Sequence, residues 1–147
     1  MNHIKEFEEY LKKGIAKRQA PDINRAKALL DESDESYHIL KEDITKNGVS
    51  DRNANHLIKN AYDIIMELIR ARMLEAGFGT SGEGAHAAEV SFLRNLGYSE
   101  QEIEFADKIR YFRNGILYYG KKLDKEYAEK VILFLEKVRK KLRNGKK

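Results

Sequence analysis

The chain has 147 residues, of which 41% are hydrophobic and 35% are charged, and its formal net charge at pH 7 is +4. A chain of this length is expected to form one domain that buries enough surface to fold without a disulfide or a structural metal. It contains no cysteine, which excludes disulfide frameworks, thiolate zinc sites and cysteine nucleophiles. The first residues lack the apolar run of a signal peptide, and no window has the apolar length of a membrane span. We therefore expect a cytoplasmic protein with no membrane contact.

Apolar residues at helical spacing predict helices along almost the whole chain. A first helix is predicted over about residues 3–19, and the proline at position 21 stops it and opens a second helix over about 21–46. The dipeptide Asn47-Gly48 ends this second helix. The apolar stripe of the first helix consists of Ile4, Phe7, Leu11 and Ile15.

The strongest helical pattern covers about residues 51–76, with Ser50 as its predicted N-cap, and is expected to form the central core helix. Residues 77–84 are predicted to be a loop, followed by a short helix to about Leu96. Ser99 and Glu102 form a capping box for a helix over about 100–118, and Asp124 caps the last helix. Short connections between long helices predict an all-α, antiparallel bundle of five to six helices.

Two local motifs carry little functional signal. The stretch G77-F-G-T-S-G82 matches a phosphate-binding glycine pattern, but no strand leads into it, so we interpret it as a glycine-rich loop after a helix C-cap. His86 and Glu89 are one turn apart without a second nearby histidine, so no metal site is predicted, and His86 is expected to form a local hydrogen bond.

The C-terminal residues 136–147 contain seven Lys or Arg against one Glu. Such a segment is either a solvated helix end, whose cations suit the helix dipole, or a site that attracts phosphate. The first interpretation is the more common one.

The segment I109-R-Y-F-R-N-G-I-L-Y-Y-G120 places Arg110 and Arg113 on one face of a helix, beside an apolar stripe;. Asp107 stands one turn before Arg110 and is predicted to pair with it. Two adjacent guanidinium groups form an anion site suited to phosphate. Alternatively, they pair with carboxylates of a neighbouring helix or subunit, and spacing alone favours this second interpretation.

Three stretches together resemble a HEPN domain (higher eukaryotes and prokaryotes nucleotide-binding), of the small stand-alone archaeal and bacterial type. They are R113-N-G-I-L-Y-Y-G120, N60-A-Y-D-I-I65 and A85-H-A-A-E-V-S-F-L93. The resemblance covers about residues 50–142, with 1–49 as leading helices and 143–147 as a basic tail. It implies an all-α bundle that forms a homodimer through its arginine helices.

Many HEPN proteins are endoribonucleases that need no metal or cofactor, and their signature is an arginine followed, after four to six residues, by a histidine. By this resemblance, Arg113 takes the arginine position, Asn114 the polar position after it, and Tyr118 the histidine position. A phenol is a poor base near neutral pH, so we expect weak or absent ribonuclease chemistry.

The resemblance also implies a partner, a minimal nucleotidyltransferase in a toxin–antitoxin-like system, which in some HEPN proteins adds AMP to a tyrosine. Tyr119 lies next to the matching position, Gly120. The sequence therefore predicts a HEPN-like dimer that binds RNA, a nucleotide or this partner through Arg110 and Arg113. The alternatives are an active endoribonuclease, which uses Arg113, Asn114 and either Tyr118 or an unrecognised histidine, and a protein-interaction module.

Overall fold

The structure, a computed structural model, describes residues 4–144, with the backbone alone at 117–119 and 144. Most of this range is helical, which confirms the prediction of an all-α helical bundle. The six α-helices of the described residues are α1 (Phe7–Lys12), α2 (Ile23–Asn47), α3 (Ala54–Ala76), α4 (Ala85–Ser91), α5 (Glu100–Tyr119) and α6 (Lys125–Arg139). A 3₁₀ turn, Phe92–Arg94, follows α4, and a π-helical segment, Lys140–Asn144, continues α6. None of the helices within residues 4–144 is both long and apolar enough to cross a lipid bilayer.

Helix α3 forms the centre of the core, as predicted. It packs most extensively against α2 and α6, and each fully buried aliphatic side chain contributes about 1.5–3 kcal/mol relative to an exposed one. Its N-cap is Asn53 rather than the predicted Ser50, because residues 51–53 form a turn in which the Asn53 side chain accepts a hydrogen bond from the Ser50 backbone N–H at 2.9 Å. The largest fully buried side chains of α3 are Leu57, Ile58, Ile64, Ile65, Met66, Leu68, Ile69 and Met73.

The predicted first helix over 3–19 and the predicted loop over 77–84 are both wrong in part. Helix α1 ends at Lys12, and Gly14 then turns the chain at φ +77°. The following residues form strand β1 (Ala16–Arg18), which pairs antiparallel with β2 (Phe78–Thr80). The backbone of β1 finds its hydrogen-bond partners about sixty residues further along the chain, so local periodicity contains no sign of this pairing.

Gly77 joins the end of α3 to this small sheet. Its left-handed backbone, φ +86°, caps α3, as the C-cap interpretation predicts;. A Cβ atom at this position would lie 2.7 Å from the Gln19 carbonyl oxygen, and the Gln19 N–H donates to the Gly77 carbonyl at 2.9 Å. Glycine is therefore required both for the turn and for the close approach of the segment after β1.

Helix α5 begins at the predicted capping box of Ser99 and Glu102, and α6 begins at the predicted cap Asp124. The backbone of α5 packs against α3 and α4. Aromatic rings fill the space between α5 and α6: Phe105 lies against Tyr127 and Phe134, and Phe112 lies edge-on against Tyr127. This packing determines which side of α5, the helix that carries Arg110 and Arg113, faces outward.

Candidate functional site

Arg110 is held by a carboxylate of its own helix. Its Nε and Nη2 atoms both lie 2.7 Å from Oδ1 of Asp107, which confirms the predicted pair. The Asp107 side chain is only 5% exposed, and a nearly buried carboxylate is costly unless a cation or donors satisfy it. Arg110 therefore neutralises Asp107, and little of its charge remains for an external anion.

Arg113 pairs with Asp63 of α3. Its Nη2 atom lies 3.1 Å from Oδ1 and 3.4 Å from Oδ2 of Asp63, and its Cζ atom lies 5.8 Å from the centre of the Tyr62 ring. The Asp63 side chain is 54% exposed, and an exposed ion pair is weak. Of the two interpretations of Arg113, the structure shows the pairing with a carboxylate of a neighbouring helix. Because this pair is weak, a phosphate could displace Asp63.

Tyr62 and His86 bring α3 and α4 to the same place. The Tyr62 hydroxyl lies 3.3 Å from Nδ1 of His86, so His86 has a partner on another helix rather than the predicted local one. Burial raises the pKa of the Tyr62 hydroxyl, and the charges of Arg110 and Arg113 only partly oppose this effect. The structure therefore groups a neutral phenol, an exposed imidazole and the arginine of the HEPN-like motif, a grouping that no spacing in the sequence predicts.

Glu89 forms a second polar contact between α4 and its neighbours. Its side chain is 4% exposed, and Oε2 accepts hydrogen bonds from Thr80 Oγ1 at 2.7 Å and from Arg70 Nε at 3.1 Å. Its Oε1 atom is buried and has no hydrogen-bond partner within the described part of the chain. In the same part, no three His, Asp or Glu side chains come together in a group that could hold a metal ion.

The outer side of α5 carries an aromatic and basic surface, which we call the α5 surface. Tyr111 is 60% exposed and lines two adjoining depressions of about 600 and 390 Å³. Asn114, of the HEPN-like motif, lines the smaller one. Lys121 lies with its Nζ 5.5 Å from the centre of the Phe112 ring. The α5 surface consists of Lys108, Tyr111, Phe112, Asn114, Lys121 and Lys122.

Two predicted site residues, Tyr118 and Tyr119, have side chains that lie outside the described residues. Their backbone belongs to the last turn of α5, which ends at the left-handed cap Gly120. The role of Tyr118 at the histidine position and the modification of Tyr119 stay predictions.

Three of the cations near the C-terminus, Lys137, Arg139 and Arg143, are paired with carboxylates. Arg143 binds Asp34 of α2 through Nε and Nη2, and Arg139 binds the same carboxylate at 2.8 Å. Lys137 pairs with Glu102 at the start of α5. These three cations attach the C-terminal end to the bundle, and the lysines of the α5 surface are exposed.

No protein-family model matches the chain, and no curated protein or solved structure is significantly similar to it. The HEPN resemblance therefore rests on the three sequence stretches and their order.

Proposed function

We propose that the chain is a HEPN-like domain that binds single-stranded RNA on the α5 surface. The observation that carries the proposal is the exposure of the Tyr111 ring among Lys108, Lys121 and Lys122. Exposed aromatic rings stack on unpaired bases, and lysines along the same groove neutralise the phosphates between them. Asn114, beside the ring, adds an amide that both donates and accepts hydrogen bonds.

The main proposed RNA contacts are Tyr111 and the lysines of the α5 surface, rather than the two predicted arginines, Arg110 and Arg113. Arg110 is committed to the nearly buried Asp107, whereas Arg113 has only the half-exposed Asp63 as its carboxylate partner. Arg113 therefore adds a positive charge beside the α5 surface, and it binds a phosphate of the RNA when that phosphate displaces Asp63. Single-stranded RNA suits this arrangement better than a duplex, because stacking on Tyr111 requires an unpaired base.

Fluorescence anisotropy with a labelled single-stranded RNA oligonucleotide tests the proposal. Tyr111→Ala is expected to raise Kd about tenfold, since stacking on an aromatic side chain contributes about 1–3 kcal/mol per base. Lys121→Ala is expected to raise Kd and to reduce the salt dependence of binding. Leu133→Ala on α6, where the side chain is 70% exposed, and Lys46→Ala at the end of α2 are the matched controls and should leave Kd unchanged.

Equal effects of the test and control substitutions would contradict the proposal, as would the absence of RNA binding at low salt. Failure to bind RNA, combined with capture of a co-expressed minimal nucleotidyltransferase, would favour the interaction module instead. We also propose, from the resemblance, a homodimer through the arginine helices in which the α5 surfaces of the two copies line a shared groove for RNA; sedimentation equilibrium tests the dimer directly.

A second candidate function is endoribonuclease activity, and the position of His86 favours it. An imidazole exchanges protons near neutral pH, and His86 contacts the same Tyr62 ring on which Arg113 lies. In this mechanism, His86 takes the proton from a ribose 2′-hydroxyl. The 2′-oxygen then attacks the adjacent phosphorus to form a 2′,3′-cyclic phosphate, Arg113 stabilises the charge on the phosphate, and the 5′-oxygen leaves with a proton from water.

A cleavage assay without metal ions tests this candidate. His86→Ala and Arg113→Ala should each reduce the rate at least about a hundredfold, the usual size of an acid–base or electrostatic contribution. His38→Ala on α2 is the control and should retain the full rate. If the wild-type chain binds RNA without cleaving it, the binding proposal stands and this candidate is rejected.

A further inference from the structure

A cleft of about 440 Å³ lies on a different part of the molecule, between the two-stranded sheet, the start of α2, the second half of α3 and the start of α4. Its volume falls within the range of small-molecule sites, about 300–1,000 Å³. The lining residues include none of the α5 surface. A ligand in this cleft would therefore contact none of the α5 surface, although His86, the base of the ribonuclease candidate, also lines the cleft.

The charged side chains that line the cleft are mostly cationic. Lys17 from β1 and Arg25 from the first turn of α2 are exposed, and neither has a carboxylate partner within residues 4–144. Arg70 adds a third positive charge, which is paired with Glu89. The lining thus has an excess of two positive charges before His86 is counted, and this excess favours a dianionic group such as a phosphate monoester.

The remaining lining residues are suited to a ligand that carries a ring as well as a phosphate. Leu29, Met73, Leu74 and Phe78 form an apolar wall, against which a flat ring can pack. Glu89 also lines the cleft, and its Oε1 atom is buried without a donor among the described residues. An unpaired buried oxygen costs free energy, so a ligand that brings an N–H group to Glu89 gains affinity by satisfying it.

We propose that this cleft binds a small phosphorylated molecule with a planar, N–H-bearing ring, its phosphate at Lys17 and Arg25 and its ring between the apolar wall and Glu89. A nucleoside monophosphate has this chemistry. The site is formed by side chains from two strands and three helices.

Calorimetric titration of the full chain with AMP, adenosine and ribose 5-phosphate tests the proposal. AMP should bind at least about tenfold more tightly than adenosine, which lacks the phosphate, and than ribose 5-phosphate, which lacks the ring, because a charge-assisted hydrogen bond contributes about tenfold or more in affinity. The Lys17→Ala/Arg25→Ala variant should raise the Kd for AMP at least about tenfold. Both side chains are exposed, so the fold should be unaffected.

The Lys13→Ala/Lys27→Ala variant removes the same charge outside the cleft and should bind AMP like the wild type. AMP should also shift the amide resonances of Gly79, Thr80 and Ser81. Equal loss in both double variants, or affinity for AMP no higher than for adenosine, would overturn the proposal. So would loss of AMP binding in Tyr111→Ala, because that result would place the nucleotide on the α5 surface; RNA binding to α5 is tested separately by its own variants.

Discussion

Arg113 belongs to the HEPN-like motif and also contacts side chains of a neighbouring helix, α3. It bonds Asp63, lies over Tyr62 and follows Tyr111 and Phe112 of the α5 surface. Its Nε atom is buried without a hydrogen-bond partner among the described residues. This guanidinium is therefore only partly satisfied by its neighbours, and its one carboxylate partner among the described residues, Asp63, is half exposed.

Asp63→Asn should tighten RNA binding about two- to fivefold. The substitution removes a negative charge that competes with phosphate for Arg113, and because the pair is exposed, the free energy of unfolding should change by no more than about 1 kcal/mol. Anisotropy and urea denaturation measure the two effects. Weaker RNA binding in this variant would show that Asp63 positions Arg113 instead of competing for it.

Tyr62, like Tyr118 at the predicted histidine position, carries a phenol instead of an imidazole. Burial raises the pKa of the Tyr62 hydroxyl, so this phenol stays protonated at neutral pH and donates or accepts a hydrogen bond without serving as a base. If this part of the molecule transfers protons, His86 is the side chain beside Tyr62 that is chemically suited to do so;.

At the scale of elements, the junction between α3 and β2 depends on Gly77. Gly77→Ala should lower the free energy of unfolding by about 3 kcal/mol, through about 1–2 kcal/mol of left-handed backbone strain and the displacement of the Gln19 carbonyl. Gly82→Ala is the control, since Gly82 has a similar φ of +77° and open space around it. It should cost only the strain, about 1 kcal/mol, in urea denaturation. Equal losses in the two variants would refute the role of the close approach.

The attachment of the C-terminal end to α2 should depend on pH. Hydrogen bonds from Arg143 and Arg139 lower the pKa of Asp34 below its ordinary value of 3.8, although burial opposes them. Because the folded pKa is the lower one, the stabilisation is fully present above about pH 4 and is lost as the pH falls through the folded value. The group is partly exposed, with 26% of its side chain accessible, so the contribution is about 1 kcal/mol.

Urea denaturation at pH 7 and pH 3 measures this effect. Asp34→Asn should be less stable than the wild type at pH 7, and the difference should shrink at pH 3. Asp31→Asn, which removes a more exposed carboxylate paired with Lys27, should show little difference at either pH. A difference for Asp34→Asn that is the same at both values would contradict the account.

At the scale of the whole molecule, the sequence predicted the features that depend on residues close together in the chain. The apolar face of α3, the caps at Ser99 and Asp124 and the Asp107–Arg110 pair all depend on spacings of three or four residues. Pairing of Ala16 with Thr80 and contact of His86 with Tyr62 join residues far apart in the chain, and no spacing rule connects them.

The exposure of Tyr111 was not predicted from the sequence. The segment around it contains several aromatic residues, and which of their rings faces outward depends on the packing of α5. Phe105 and Phe112 contact aromatic rings of α6, whereas Tyr111 remains exposed. The packing of α5 against α3 also brings Arg113 to Asp63, while the lysines of the α5 surface stay exposed.

The most direct test of RNA binding on α5 is a titration of the ¹⁵N-labelled chain with a short single-stranded RNA, followed by amide chemical shifts. We predict that the largest shifts fall on residues 108–115 and 121–124 and that Tyr111→Ala removes most of them. Shifts confined to the basic segment 137–143, or no saturable shifts at low salt, would contradict the account.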